Sequence, residues 1–200
     1  MALTYHNNNS ISNITSFAQV PSGSPVLLST ATASGSSSIS FTSGIDSTYD
    51  IYYWEFIDIH PSTNDVNFQF NMSTDGGSNY NVTKTTTFFQ GYHTEAGVGS
   101  LAYNTGRDLA QSTSNADITR EIGNLDDEST AGTLTLFNPS STVFVKHYIS
   151  RFQDYSHADA SVDSHSAGYG NTTSAINAVR FQMSSGNIDA GTIKMYGIKA

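Results

Sequence analysis

The sequence predicts an all-β protein, an antiparallel, jelly-roll-like β-sandwich with an extended N-terminal arm. Three observations carry this prediction. Val66, Phe68, Phe70 and Met72 alternate with Asn67, Gln69, Asn71 and Ser73, the period of two that marks a half-buried strand. The run before it is aromatic and β-branched on both faces, with Ile51, Tyr53, Ile57 and Ile59 on one side and Tyr52, Trp54 and Phe56 on the other. That composition suits a central strand covered on both sides. Turn formers separate the apolar runs: Pro61 and Ser62 to Asp65, then Asp75, Gly76 and Gly77. Together these features predict a long antiparallel hairpin over Thr48 to Gly77, at the centre of the core.

The other elements follow in chain order. Met1 to Pro25 is polar and closes with two prolines flanking Ser22, Gly23 and Ser24, which predicts an arm or linker over 1–25 and a sandwich domain over 26–200. Val26 to Ala33 and Ile39 to Ile45 read as strands around a Ser-rich turn. Tyr80 to Tyr92 continues the β pattern, and Thr85 to Thr87 favour it through their stiff χ1 angles. Residues 94–131 are broken by Gly97, Gly99, Gly106 and Gly123 and read as long loops, with a short helix over Ala116 to Ile122. Gly132 to Phe137 and Thr142 to Ser150 flank Asn138 to Ser141, which predicts a second hairpin with a four-residue turn. Residues 151–170 read as a polar, histidine-bearing excursion. Ala175 to Met183 and Gly191 to Ile198 are the last two strands, completing eight to ten in all.

Composition narrows the function classes. Only 12% of residues are charged, so hydroxyls and amides keep the surface wetted. The formal net charge of −9 argues against a nucleic-acid groove, which needs clustered Lys and Arg, and against an anionic membrane surface. Without cysteine there are no disulfides, thiolate zinc sites, iron–sulfur clusters or cysteine nucleophiles. Stability is then expected to lean on oligomerisation or an assembly lattice. Met1 to His6 shows neither a basic nor an apolar signal region, and no apolar run approaches the roughly 20 residues of a membrane span. The chain is therefore expected to be made in a cytoplasm and not inserted into a membrane.

Two constellations offer groups for chemistry. His157 with Asp159, and Asp163 with His165, place imidazoles and carboxylates together as in a divalent metal site, but in no known ligand spacing. Glu55, Asp58 and Asp126 to Glu128 offer carboxylates for a glycosidase pair, yet nothing in the sequence sets two of them at the required separation. The expectation is therefore no catalytic residue, no cofactor, no metal and no enzyme. Trp54 and the tyrosines can form a sugar-stacking platform, but their alternation within strands favours core packing. Sequons at Asn8, Asn13, Asn71, Asn81 and Asn171 follow from an Asn/Ser/Thr-rich composition.

Three segments carry a resemblance. Ser38 to Asp50 (SISFTSGIDSTYD), Asn71 to Tyr80 (NMSTDGGSNY) and Met183 to Ile198 (MSSGNIDAGTIKMYGI) resemble, in order and spacing, motifs of a family of small virion proteins of tailed bacteriophages, especially marine ones. The likeness runs from about Val26 onward and rests on strand and turn motifs, so no active-site residue carries over. It implies a β-sandwich displayed on the virion after assembly in the host cytoplasm. The implied role is a capsid decoration or fibre-type subunit that docks through Met1 to Pro25. The implied partners are other virion proteins, major capsid or tail, and further copies of the chain. The alternative is a tail-associated protein binding a receptor or host surface glycan through loops 94–131 and 151–170.

Overall fold

Turn chemistry and strand propensity divide residues 23–199, those the computed structural model describes, into twelve strands with no helix among them. In order they are β1 (Val26–Thr32), β2 (Ile39–Phe41), β3 (Ile51–Pro61), β4 (Phe68–Ser73), β5 (Lys84–Thr94) and β6 (Gly99–Tyr103). There follow β7 (Ala116–Asp117), β8 (Thr130–Phe137), β9 (Lys146–Ser156), β10 (Ala160–Gly170), β11 (Ala178–Met183) and β12 (Ile188–Ile198). They form an eight-stranded sheet, β1-β12-β3-β8-β9-β10-β5-β6, and a four-stranded sheet, β2-β11-β4-β7, antiparallel throughout. Sequence neighbours share a sheet only at β5–β6, β8–β9 and β9–β10. Everywhere else the chain crosses from one sheet to the other. The all-β sandwich is as expected; of the arm expected over 1–25, residues 1–22 lie outside the described residues.

Aromatic side chains fill the space between the sheets. Tyr52, Trp54 and Phe56 of β3 point inward and are buried. Phe181 of β11 sits opposite, 5.9 Å from Trp54, 4.9 Å from Phe56 and 5.9 Å from Phe68, ring centre to ring centre. Phe56 reaches Phe152 of β9 at 5.0 Å, and Phe70 of β4 meets Tyr148 of β9 edge-on at 4.6 Å. Each such pair adds about 0.5–1.5 kcal/mol beyond the area it buries.

Several expectations need correction. Thr48 to Gly77 is not a hairpin: β3 pairs with β12 and β8, whereas β4 pairs with β11 and β7 in the other sheet. Pro61, which has no N–H to donate, ends β3, and the chain then crosses the sandwich. Nor is 151–170 an excursion. It is the longest hairpin of the fold, β9 with β10, paired from Lys146↔Gly170 to Ser156↔Ala160. Ala116 to Ile122 is extended rather than helical, with Ile118 donating its N–H to Phe68 O at 2.9 Å. The β8–β9 hairpin does form, but Thr142 to Val145 belong to its connection, which the Ser141 hydroxyl organises by accepting the N–H groups of Val143 and Phe144.

Ile59 also lies on the opposite face to the one expected. The register of β3 against β8 slips between Phe56 and Ile59, and Asp58 takes a left-handed φ of 50°. Ile57 and Asp58 both point outward, after which Ile59 is fully buried. This is a β-bulge, one extra residue in one strand. Gly191 of β12 (φ 116°) permits the close approach, since a Cβ there would come within 2.6 Å of Asp58 O.

Candidate functional site

Three connections converge at one end of the sandwich: the turn after β3, the segment after β7 and the β9–β10 turn. Each carries a non-glycine residue in the left-handed region, Asp65 (φ 58°), Glu121 (φ 52°) and Asp159 (φ 50°). Asp tolerates this conformation; a glutamate there costs on the order of 1 kcal/mol and must be held by its surroundings. Glu121 is held on every side. Its N–H donates to Asn67 Oδ1 at 3.0 Å and its carbonyl accepts the His157 N–H at 3.1 Å. Its carboxylate meets Arg107 at 2.9 Å and Arg120 at 2.8 Å. Burial pushes its pKa up, but the two guanidinium groups outweigh that and hold the carboxyl below its ordinary range. Arg107 also reaches Asp117 at 3.4 Å, where burial prevails and raises the pKa against Gln69, Arg107 and Asn67.

His157 Nδ1 lies 3.5 Å from Asp65 Oδ1 and 3.3 Å from the Glu121 carbonyl. One ligand-type atom each from Asp65, Glu121 and His157 falls within 4.8 Å of the others. An imidazole with two carboxylates is a ligand set for a divalent cation. Both oxygens of Glu121 are already engaged by guanidinium groups, however, so a cation there would face two positive charges at close range. The arrangement serves better as an ionic clamp on three connections.

The residues singled out in the sequence scatter differently. His157 joins Asp65 and Glu121 rather than Asp159. Asp159 lines a cavity of about 440 Å³ with His93, Glu95, Gln153 and Tyr155. Asp163 and His165 face outward on β10, where Arg151 grips Asp163 at 2.8 and 3.0 Å, holding its pKa low, and His165 adds a 3.2 Å contact. Asp58 and Asp126 to Glu128 do meet, around a cavity of about 480 Å³ that His60 and Asp189 complete. Glu128 is buried there and accepts the Leu125 N–H at 2.6 Å. Glu55 lies elsewhere, accepting a hydrogen bond from Tyr196 at 3.0 Å. Trp54 is core, whereas Phe89 stacks on His165 at 4.6 Å and His147 meets Tyr169 at 6.4 Å on the outer face of the large sheet. Asn71, one of the sequon asparagines, is buried.

Sequence reasoning missed the polar interior under β9, β10 and β5. Asp154 is fully buried and accepts hydrogen bonds from Ser164 Oγ at 2.8 Å and the Arg120 N–H at 3.3 Å. Burial pushes its pKa up to about 7. The Thr130 hydroxyl touches both Asp154 Oδ1 and the Gln153 carbonyl, but has one proton to give. A protonated Asp154 resolves this by donating to Thr130 Oγ1, which then donates to Gln153 O. At the other end of the same strands Lys84 and Lys146 are buried, and among the described residues each hydrogen-bonds to neutral acceptors. No protein family, curated protein or solved structure matches the chain.

Proposed function

We propose that the chain is a non-enzymatic structural protein of a tailed-bacteriophage virion, displayed on the particle exterior as a capsid decoration or fibre-type subunit. The strand order supports a jelly-roll reading: β1-β12-β3-β8 opposes β2-β11-β4-β7, and the chain alternates between the sheets from β1 to β5 and again from β10 to β12. Jelly rolls recur in viral shells. The observation that carries the docking role is where the N-terminal segment enters. It leads into β1, the outermost strand of the large sheet, whose Val26 and Leu27 are exposed. An arm over Met1 to Pro25 would thus leave from the rim of the sandwich, free to reach capsid or tail proteins or a sister subunit. Deleting residues 1–24 should leave a folded, soluble domain that no longer binds particles. Binding that survives the deletion rules the arm out as the anchor.

A second reading, a tail-associated protein that binds a receptor or host glycan, is favoured by the outward-facing rings of Phe89, His165, His147 and Tyr169. Flat rings beside the hydroxyls of Thr85 and Thr87 are what a sugar face stacks on. A glycan array and a host-cell pull-down separate the two readings, because a decoration protein should bind neither.

A further inference from the structure

A buried amine and a buried carboxamide meet where the start of β5 approaches β4. Lys84 opens β5 of the large sheet and Asn71 lies in β4 of the small one, exposed by 0% and 1% respectively. Lys84 Nζ is 2.6 Å from Asn71 Oδ1 and 2.7 Å from Val82 O. The amide is fixed at both ends. Its Oδ1 also accepts the Met72 N–H at 2.9 Å, and its Nδ2 donates to Thr113 O and Asn115 Oδ1, each at 3.1 Å. A carbonyl bond of about 1.2 Å keeps Nζ within about 3.8 Å of Asn71 Cγ, close to the 3–3.5 Å of a near-attack contact.

We propose that Lys84 and Asn71 are the partners of an intramolecular isopeptide bond, a covalent staple between the two sheets in a chain without cysteine. Neutral Nζ attacks Asn71 Cγ, the new C–N bond forms, and the carbonyl π pair moves to Oδ1. The Met72 N–H already points at that oxygen and receives the developing charge. One proton passes from Nζ to Nδ2, the C–Nδ2 bond breaks, the carbonyl re-forms and ammonia departs. Nothing is oxidised or reduced. Burial lowers the Lys84 pKa to about 8, which enlarges the neutral-amine fraction near physiological pH. Among the described residues no carboxylate hydrogen-bonds to either group to relay the proton, so the step is slow; conversion grows with time and with pH up to about 8.

The purified full-length chain, incubated at mildly alkaline pH and then denatured, should be lighter by one ammonia in its intact mass spectrum. Trypsin should then fail to cut after Lys84, so residues 85–107 remain joined to the segment that precedes them. Lys84→Arg should restore the full mass and the cleavage. A full mass with normal cleavage at Lys84 after prolonged incubation overturns the proposal and leaves a hydrogen-bonded lysine. So does an ammonia loss that leaves Lys84 cleavable or persists in Lys84→Arg, because that is a succinimide at an asparagine. The tryptic result on the natural sequence decides the matter even if the variant fails to fold.

Discussion

One sheet contains two different interiors. Over β12, β3 and β8 the inward residues are Ile193, Met195, Tyr52, Trp54, Phe56, Leu134 and Leu136. Over β9, β10 and β5 they include Lys146, Ser150, Asp154, Ser156, Ser164, Ser166, Lys84, Thr86 and Gln90. Backbone pairing continues unbroken from one half to the other. The first half is held by apolar burial, about 1.5–3 kcal/mol for each large side chain. The second buries Phe88, Phe152 and Val162 beside polar groups that mostly pair with one another, Gln90 Oε1 excepted: Tyr148 Oη meets Ser166 Oγ at 3.1 Å, and Ser150 donates to Ser166 O at 3.2 Å. A strand therefore needs a partner and a sealed inner face, and that face need not be apolar.

The comparison breaks or holds under mutation. Phe181 contacts Phe41, Trp54, Phe56, Phe68 and Phe70 at the centre of the apolar half. Phe181→Ala should cost about 3–5 kcal/mol in denaturant unfolding. A loss below about 1 kcal/mol would mean that the aromatic cluster does not hold the sheets together.

The polar half should instead declare itself through pH. The folded-state pKa of Asp154 lies above the ordinary 3.8, so the folded protein holds that proton more tightly than the unfolded chain. Its contribution therefore falls as pH rises from about 4 to about 7 and stays low above that. At about 1.4 kcal/mol per pKa unit, the swing is on the order of 4 kcal/mol. Asp154→Asn, neutral at every pH, should flatten that part of the stability curve and be more favourable relative to the parent at pH 8 than at pH 4. An unchanged slope would mean that Asp154 titrates as an ordinary surface acid. The smallest effect belongs to the outer face, where Arg151 and Asp163 form an exposed pair. Arg151→Ala should move stability by no more than about 0.5 kcal/mol, and less in high salt.

The same contrast explains what could be read from the sequence. Alternation at Val66 to Ser73 marks β4 because its inner residues are apolar and its neighbours are not. β9 and β10 alternate just as strictly, but Asp154, Ser164 and Ser166 point inward while Ile149 and Phe152 lie on opposite faces, so no hydrophobic period survives. Period two also cannot say which sheet a strand joins, so β3 and β4 looked like a hairpin. The ionic clamp was illegible for another reason. Asp65, Glu121 and His157 are far apart in the chain and meet only after three connections have been laid over one end of the sandwich. Lys84 and Asn71 gave no signal either, since nothing in their spacing reveals that β4 and β5 lie in opposite sheets.

The bulge at Asp58 bears on how the chain tolerates changes in length. Anywhere else along β3, losing one residue would exchange inside for outside, sending Trp54 or Phe56 toward solvent. Between Ile57 and Asp58 two successive side chains already point outward. Removing one of them restores plain alternation and leaves Phe56 and Ile59 buried. This strand therefore has one place where a single-codon deletion is absorbed, and it borders the acidic cavity rather than the core.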